Sequence, residues 1–256
     1  PTKKFLSSFE SGGLRLPLHL FKLAVSRSVS YSIDDQLLNP TDGDFILKPD
    51  FNTLRVVPWY EEPTAQIICD AVDSKDNEIE VYSRGILKRV ISLFNNIGLE
   101  PIIAPEIEFY LVKKNNDPDY PLETPSGQSG RIEKGNQSYG IDAINEFDHI
   151  FEDLYDYCEA QDLDVENINH EDGPAQMEIN FKHGNPLDLA DQVFLFKRTL
   201  RQTALKHNLY ATFMAKPLED SPGNSMHIHQ SLLKKGKPVF VNKDLNTTNY
   251  FDRYLG

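Results

Sequence analysis

Apolar residues recur at helical spacing in several stretches of the chain. From Asn77 to Asn96 they lie three or four residues apart, and Gly98 follows as a C-terminal stop signal. The same spacing predicts a helix over residues 142–160 and a longer helix over residues 187–208.

Short apolar or alternating runs between these stretches predict strands. Residues 102–112 form an apolar run that is typical of a buried strand, and residues 176–181 alternate between polar and apolar side chains. Residues 209–214 predict a third strand. Strands and helices mixed in this way predict an α+β fold, with the candidate chemistry on the strands of one sheet.

The chain is predicted to have two domains. Residues 1–72 consist of short strands and turns and predict a small β-rich domain, and residues 73–256 predict a larger one. Residues 113–138 are rich in Asn, Asp, Pro and Gly and predict a long loop. A loop of this length in a compact domain is usually functional or mobile.

Composition limits the classes of partner. The chain has 256 residues, 39% of them hydrophobic, which is enough for a sizeable core. Asp and Glu outnumber Lys and Arg by 39 to 26, the net charge is -13, and no run of Lys and Arg forms a patch for nucleic acid. We therefore expect no nucleic-acid partner. An acidic balance is compatible with metal–nucleotide chemistry, although solubility alone would also explain it.

The sequence predicts a protein of the reducing cytoplasm. No apolar run is long enough to span a bilayer, and no apolar leader follows residues 1–4, so no membrane partner is expected. Cys69 and Cys158 have no metal-ligand spacing, and both are expected to be buried or half-buried thiols.

The first candidate for metal chemistry is a pair of acids in the predicted buried strand. The period of two places Glu106 and Glu108 on the same face of that strand. Two ionised carboxylates on a mostly buried face repel each other and lose hydration, so they require a cation. A divalent metal ion would neutralise both.

A second acidic cluster surrounds a predicted turn. Gln176, Glu178 and Asn180 share one face of their strand, and Gly173-Pro174 forms a turn that would bring Glu171 back beside Glu178. An ordinary half-exposed strand would show the same alternation. For Glu178 alone, a solvent-facing side chain is the favoured interpretation over a metal ligand.

Two histidines complete the candidate site. His227 and His229 point the same way if their segment is extended. Four carboxylates with one or two imidazoles are hard ligands that favour Mg²⁺ or Mn²⁺, and a pair of ions would clamp phosphate oxygens. The residues alone therefore indicate a divalent-metal enzyme that acts on phosphate.

Four segments, in the same order along the chain, resemble motifs of the glutamine synthetase family. Residues 216–231 closely resemble the ATP-binding signature of the family, and residues 106–109 and 170–178 resemble its two metal-ligand strands. Residues 43–59 resemble the end of its small β-grasp domain. The resemblance implies a β-grasp-like N-terminal domain followed by a catalytic domain with a curved antiparallel sheet and flanking helices.

The resemblance also implies which residues bind metal. Glu108, Glu171 and Glu178 would bind one Mg²⁺ or Mn²⁺ ion, and Glu106 and His227 would bind a second. In the family, ATP phosphorylates the γ-carboxylate of glutamate, and ammonia or an amine then displaces phosphate.

Further residues are implied to contact the nucleotide and the substrates. Glu166, His229 and Ser231 would face ATP, Gly223 would lie along the bound glutamate, and Tyr139 would border the amine pocket.

Compared with the family, the chain is expected to be truncated at both ends. It stops at Gly256, whereas the family continues with arginines for ATP and glutamate and with one more metal-ligand glutamate. The main catalytic candidates are therefore expected beyond Gly256, and no catalytic residue is assigned within the chain.

Three departures from the family pattern concern the acceptor. Ser225 stands where the signature has Gly or Ala, and Pro222 stands where ammonia-using members commonly have Asn. Residues 14–21 lack the Asp-Gly-Ser-Ser turn that forms the ammonium pocket. This pattern resembles the branch that ligates glutamate to larger amines, such as γ-glutamylpolyamine synthetases. The alternative is an ordinary glutamine synthetase that uses ammonia.

The resemblance further implies a homo-oligomer, expected to be a dodecamer of two stacked rings with active sites between subunits. Two other functions remain open at this point. A synthetase-like protein without catalysis would serve as an assembly or regulatory module. An unrelated two-metal phosphohydrolase would explain the carboxylates but not the pattern of residues 216–231.

Overall fold

The computed structural model describes residues 3, 6–8, 13–23, 43–117, 119–242, 244 and 246–255. The described residues form the strands β1 (Leu14–Pro17), β2 (Asp44–Pro49), β3 (Arg55–Val56), β4 (Ala65–Gln66), β5 (Cys69–Val72), β6 (Glu100–Lys113), β7 (Val165–His170), β8 (Gln176–Phe181), β9 (Leu209–Thr212), β10 (Met226–Lys234) and β11 (Lys237–Pro238). They also form the α-helices α1 (Ser83–Asn96), α2 (Ile141–Asn145), α3 (Asp148–Glu159), α4 (Pro186–Lys206) and α5 (Asn249–Leu255). The predicted α+β class is confirmed.

The chain divides into two compact units. The first contains residues 1–54 and 65–97, and the second contains residues 55–64 and 98–256. The domain boundary that we place between residues 72 and 73 stays a prediction.

In the first unit, β2 lies between β1 and β5 in an antiparallel sheet. Phe45, Ala71 and Tyr82 form its buried core. The ring of Phe21 packs on Phe45 with 4.8 Å between the ring centroids. Phe21 belongs to a short 3₁₀ helix, Leu18–Lys22, which directly follows β1.

The helix predicted from residue 77 begins later, at Ser83. Residues 77–82 are held in another conformation by the strand that precedes them. The Asp73 carboxylate accepts a hydrogen bond from the backbone N–H of Asn77, and the N–H of Ile79 donates to the carbonyl of Ala71. Local side-chain bonding of this kind competes with helix formation, so the sequence spacing places the start too early.

Cations from the first turns of α1 neutralise two acidic side chains of this unit. The guanidinium of Arg84 lies 2.6 Å from the Asp50 carboxylate and also pairs with Asp70. Asp70 pairs in addition with the ammonium of Lys88. All four side chains are less than one-third exposed. The network fastens α1 to β5 and to the turn after β2.

The second unit is built on a curved antiparallel sheet of six strands with the order β11-β10-β6-β8-β7, in which β9 also pairs with β6. The central strand, β6, covers the predicted segment 102–112. The predicted strand 176–181 is confirmed as β8, and the strand predicted at 209–214 is observed as β9.

Strands β9 and β10 lie in line along the same edge of β6. Leu209 to Thr212 pair with Lys113 to Tyr110, and Met226 to Leu233 pair with Ile107 to Glu100, both antiparallel. Residues 213–225 therefore form an excursion out of what would otherwise be one long strand. The excursion leaves the sheet beside Glu108 and Phe109.

Helices cover one face of this sheet. Phe181 of β8 packs edge-to-face on Phe196 of α4, with 5.4 Å between the ring centroids. In the antiparallel register, Ile107 and Phe109 of β6 lie on the same face as Phe181, and both are at most 1% exposed. The even-numbered residues of β6 and β8 therefore occupy the opposite face.

The helix predicted at residues 142–160 is interrupted. It forms α2 and α3, which are separated at residues 146–147. Gln128 of the preceding loop donates hydrogen bonds to the carbonyls of Asn145 and Glu146, which a continuous helix would use itself. Among all helices of the described residues, none is long and apolar enough to cross a bilayer.

Candidate metal centre

The face of the sheet opposite the helices carries the predicted acids and histidines. Glu108 of β6 lies directly opposite Glu178 of β8, and Glu106 lies opposite His227 of β10. Because side chains alternate along strands, His229 occupies the same face two residues farther along β10. Three neighbouring strands thus present their functional side chains to one region.

Three of these residues have the geometry of a metal site. The potential ligand atoms of Glu106, Glu178 and His227 all lie within 4.8 Å of one another. His227 Nδ1 is 3.5 Å from Glu106 Oε2. Glu178 is only 9% exposed, which contradicts the solvent-facing interpretation favoured for it from the sequence. The strand is covered on its polar face as well, and the sequence of a single strand carries no sign of that.

The predicted turn brings Glu171 next to the same cluster. The N–H of Glu171 donates to the carbonyl of Gln176 at 2.8 Å, and the N–H of Gln176 donates to the carbonyl of Gly173 at 3.0 Å. A Cβ at Gly173 would lie 1.9 Å from the hydroxyl of Tyr110, so this turn requires glycine.

The carboxylates are crowded. Burial, followed by repulsion from Glu178 and Glu108, raises the pKa of Glu171. Burial and the nearby Glu106 raise the pKa of Glu178, although a hydrogen bond from Asn180 partly opposes this. In the described part of the chain, no Lys or Arg forms an ion pair with any of these carboxylates, and the ion-pair partners of Glu106 are His227 and His229.

This donor set fits a hard divalent cation. Carboxylate oxygens with an imidazole nitrogen suit Mg²⁺ or Mn²⁺, and a cation would remove the repulsion that raises the carboxyl pKa values. Glu178 lies next to Glu106 and His227 and is also electrostatically coupled to Glu171 and Glu108. It therefore stands between the two predicted ligand groups.

The residues predicted to face the nucleotide are placed at different distances from this centre. His229 Nε2 lies 2.9 Å from Glu106 Oε1, and the imidazole is 65% exposed. Ser231 follows on the same face, opposite Ile102. Glu166 is exposed and lies on the outermost strand β7, where the pairing register shifts. Their assignment to ATP stays a prediction.

The residues predicted to bind substrate lie in loops. Tyr139 is 73% exposed, adopts a left-handed backbone with φ of 59°, and donates its N–H to the carbonyl of His170. Gly223 lies in the excursion between β9 and β10, where a Cβ would come within 2.6 Å of the Ala215 carbonyl. The substrate contacts of Tyr139 and Gly223 also stay predictions.

The described residues do not test where the catalytic candidates lie. Gly256, beyond which we expect them, lies outside the described residues, and the last described residue is Leu255 of α5. The centre built here from β6, β8 and β10 therefore contains candidate metal ligands and no assigned catalytic residue. The location of the catalytic residues beyond Gly256 stays a prediction.

Sequence reasoning missed two sets of buried polar residues. It places Gln176 on the face of Glu178 but assigns it no role, although its polar side chain in a buried strand is a signal. It also misses the buried pair of His170 and Glu133, whose Nε2 and Oε1 atoms lie 3.5 Å apart. Those two residues are far apart in sequence, and no spacing rule joins them.

The sequence is similar to those of a known protein family. The model described as the catalytic domain of glutamine synthetase matches residues 80–256, more than half of the chain. The chain is 35% identical over 206 residues to a glutamine synthetase of Methanocaldococcus jannaschii, covering 79% of this chain and 44% of that protein. It is 33% identical over 203 residues to a glutamate–isopropylamine ligase of a Pseudomonas species, covering 78% of this chain and 43% of that protein.

The fold also matches a solved structure. A crystal structure of a novel glutamine synthase homolog has a TM-score of 0.76 to this chain at 18% identity, covering 93% of this chain and 53% of the other. The catalytic-domain fold predicted from the sequence is confirmed. The chain spans about half the length of the curated relatives it matches.

Proposed function

The chain belongs to the glutamine synthetase family, and from this premise we propose that the protein is an ATP-dependent ligase that joins the γ-carboxylate of glutamate to ammonia or an amine. The observation that carries the proposal is that acids and histidines converge on one face of the sheet without Lys or Arg partners among the described residues. A phosphoryl-transfer site needs such a set to hold its cations.

We assign the metal ligands to two groups. Glu108, Glu171 and Glu178 would hold one Mg²⁺ or Mn²⁺ ion, and Glu106 and His227 would hold a second, with Glu178 close to both. When bound, the ions would neutralise the charge of the transferred phosphoryl group and orient it. Glu106, Glu108, Glu178 and His227 lie on strands, and the turn at Gly173-Pro174 holds Glu171 beside them, which reduces the reorganisation needed for binding.

The remaining assignments follow from position. His229 and Ser231 continue the face of β10 beyond the metal ligands and would contact the phosphates of ATP, and Glu166 would lie near the nucleotide. The backbone of Gly223 would lie along glutamate, because this excursion runs beside Glu108. Tyr139, exposed and held by its backbone, would border the acceptor.

The acceptor is proposed to be an alkyl amine or a polyamine. Residues 14–21 form β1 and part of a 3₁₀ helix, and Leu16 is 37% exposed on this segment, where the ammonia-using pattern has a small polar turn. An apolar wall suits a methylene chain, whose burial contributes about 0.8 kcal/mol per CH₂. The relatives include both a glutamine synthetase and a glutamate–isopropylamine ligase at similar identity, so ammonia is the second candidate.

Kinetics with the intact protein test both candidates. Phosphate release that depends on glutamate and ATP is measured with ammonia, isopropylamine, putrescine, spermidine and ethanolamine in turn. The highest kcat/KM is expected for an alkyl amine or polyamine. A clear preference for ammonia would assign the protein to the second candidate, and no glutamate-dependent phosphate release with any acceptor would refute ligase activity.

We also propose that the intact protein is a ring-shaped homo-oligomer, with a dodecamer as the expected size. Heterologous contacts between subunits close into rings when the rotation between them permits. Light scattering at working concentration should give the mass of an oligomer. A monomer that turns over substrate would contradict this part of the proposal without affecting the ligase assignment.

A further inference from the structure

Gln176 lies at the centre of a buried hydrogen-bond network between the metal centre and the excursion of residues 213–225. It is 1% exposed, and both ends of its side-chain amide are bonded. Its Nε2 lies 3.0 Å from Glu108 Oε2 and 2.9 Å from the carbonyl of Gly223. Its Oε1 accepts from the N–H of Gly173 at 2.9 Å.

The orientation of this amide is fixed by its neighbours. The backbone N–H of Gly173 can only donate, and the carbonyl of Gly223 can only accept. The oxygen of Gln176 must therefore face Gly173, and its NH₂ group must face Glu108 and Gly223. A rotation of the amide by 180° would break the hydrogen bonds at both ends.

The same carboxylate oxygen is also tied to the excursion directly. Glu108 Oε2 accepts a hydrogen bond from the N–H of Ser225 at 3.0 Å, and the N–H of Glu108 donates to the carbonyl of Ser225 at 3.1 Å. The hydroxyl of Tyr110, two residues farther along the same face, lies 2.7 Å from the carbonyl of Pro222 and 3.1 Å from Gln176 Oε1. In the described part of the chain, Glu108 Oε2 accepts from Gln176 Nε2 and from the N–H of Ser225, and Glu108 Oε1 has no donor.

We propose that Gln176 is a positioning residue that transmits the occupancy of the metal centre to residues 222–225. The identity of the ion and of the substrate rests on the proposed function, whereas the network itself does not. Glu108 Oε2 shares the NH₂ group of Gln176 with the carbonyl of Gly223. An ion bound to the Glu108 carboxylate withdraws negative charge from Oε2 and weakens it as a hydrogen-bond acceptor. The NH₂ group of Gln176 then bonds more strongly to the carbonyl of Gly223.

This coupling must work in both directions. A ligand that orders the backbone at Gly223 would favour the arrangement of Glu108 that binds the ion, because linked equilibria are reciprocal. Glutamate, placed along Gly223, is the ligand expected to do so. The substrate would then bind better to the protein that already holds its cation.

The test compares Gln176→Met with Gln161→Met in the intact protein. Gln161 is a matched control, because it is also fully buried in the second unit and donates through Nε2 to the carbonyl of Tyr157 and the hydroxyl of Thr199. Both variants lose one buried amide of the same size. Comparable losses of thermal stability are therefore expected, and only Gln176→Met should affect the coupling.

The first measurement is hydrogen exchange of the peptide that covers residues 222–225, with Mn²⁺ alone as the probe. Mn²⁺ should slow this exchange in the wild type and in Gln161→Met, and the slowing should disappear in Gln176→Met. The second is Mn²⁺ affinity, which should fall by about 10-fold to 100-fold in Gln176→Met, as for other residues that orient metal ligands. With glutamate present, the KM for glutamate should rise in the same variant.

Two results would overturn the proposal. One is a wild type in which Mn²⁺ leaves the exchange of residues 222–225 unchanged, and the other is equal behaviour of Gln176→Met and Gln161→Met. If Gln176→Met does not fold, Tyr110→Phe replaces it, because it removes only the hydroxyl that joins Gln176 to Pro222. That variant should show the same changes at smaller size, and its full retention of Mn²⁺-dependent protection would count against the proposal.

The outcome is separable from that of the proposed function. A wild type that shows Mn²⁺-dependent protection but no ligase turnover would refute the function and leave the coupling standing. A wild type with ligase turnover, but with no difference between Gln176→Met and Gln161→Met, would refute the coupling and leave the proposed function standing.

Discussion

Asp70 in the first unit and Glu178 in the second are both partly buried carboxylates, yet their pKa values shift in opposite directions. Burial would raise the pKa of Asp70, but hydrogen bonds from Lys88 and Arg84 outweigh it, and the pKa is lowered. Burial raises the pKa of Glu178, and repulsion from Glu106 adds to it. The hydrogen bond from Asn180 does not reverse this shift.

The difference separates two uses of buried acids. In the first unit, the fold supplies its own cations, and the acids fasten a helix to a sheet. In the second, the acids face one another without Lys or Arg partners among the described residues, so their charge is left for a cation from solution. Acid content alone would not distinguish these clusters, whereas the direction of the pKa shift does.

The largest expected effect comes from removing a carboxylate of the second cluster, by which we mean the acids Glu106, Glu108, Glu171 and Glu178 of the second unit. Glu178→Gln should lower the Mn²⁺ affinity of the intact protein by at least about 100-fold, because a ligand matters more than the residues that orient it. The affinity is measured by isothermal titration. Glutamate-dependent turnover should be lost with it.

The control for this variant is Glu152→Gln, the same change at an exposed position on α3. It should leave Mn²⁺ affinity unchanged. If Glu178→Gln bound Mn²⁺ as tightly as Glu152→Gln, the second cluster would not be a metal site.

The first cluster consists of Asp50 and Asp70 with their partners Arg84 and Lys88 in the first unit. A substitution there is expected to lower stability and to leave Mn²⁺ affinity unchanged. Asp70→Asn leaves Arg84 and Lys88 partly buried with one fewer partner, and it should lower the free energy of unfolding by about 2 kcal/mol. Urea denaturation measures this change, and Mn²⁺ affinity measured in parallel should stay at the wild-type value. If Asp70→Asn lost Mn²⁺ affinity and kept its stability, the structural role assigned to the first cluster would be wrong.

Acid should weaken the first cluster. Because Asp50 and Asp70 have lowered pKa values, their contribution to stability is present above the ordinary pKa of Asp and is lost as the pH falls through their folded values. Between about pH 5 and about pH 3, the wild type should therefore lose more stability than Asp70→Asn does. Parallel curves of unfolding free energy against pH for the two proteins would contradict the role assigned to Asp70.

The smallest effect is expected for an ion pair on the surface of the same unit. Lys48 and Asp76 pair at 2.6 Å, but their side chains are 55% and 65% exposed. Asp76→Asn should change the free energy of unfolding by less than about 0.5 kcal/mol, since exposed pairs are screened by solvent. A change as large as that of Asp70→Asn would mean that burial does not determine the strength of these pairs.

Much of the sheet can be predicted from local patterns. Alternation along β6, β8 and β10 places Glu106, Glu178 and His227 on single faces, and the Gly173-Pro174 turn predicts the return of Glu171. These features depend on spacing within a few residues, which the sequence states directly. The meeting of the three strands follows from their register, which the sequence does not state.

The features that could not be predicted depend on contacts between distant segments. Gln128 ends α2 through hydrogen bonds to carbonyls far along the chain, so the local pattern of residues 142–160 indicates one helix where there are two. The exposure of Glu178 is predicted wrongly because burial depends on what covers the strand. The bonds that join Gln176 to Gly223 likewise cross from one strand to a loop that lies far away in sequence.

The excursion of residues 213–225 can vary in length independently of the sheet. Because β9 and β10 pair with the same edge of β6 before and after it, a change of its length would not shift the register of the strands that carry the ion ligands. Evolution can therefore alter this loop in small steps without moving the strands that pair with β6. An engineer who wishes to change the length of this loop could begin with residues 216–221, which lie outside the hydrogen-bond network around Glu108.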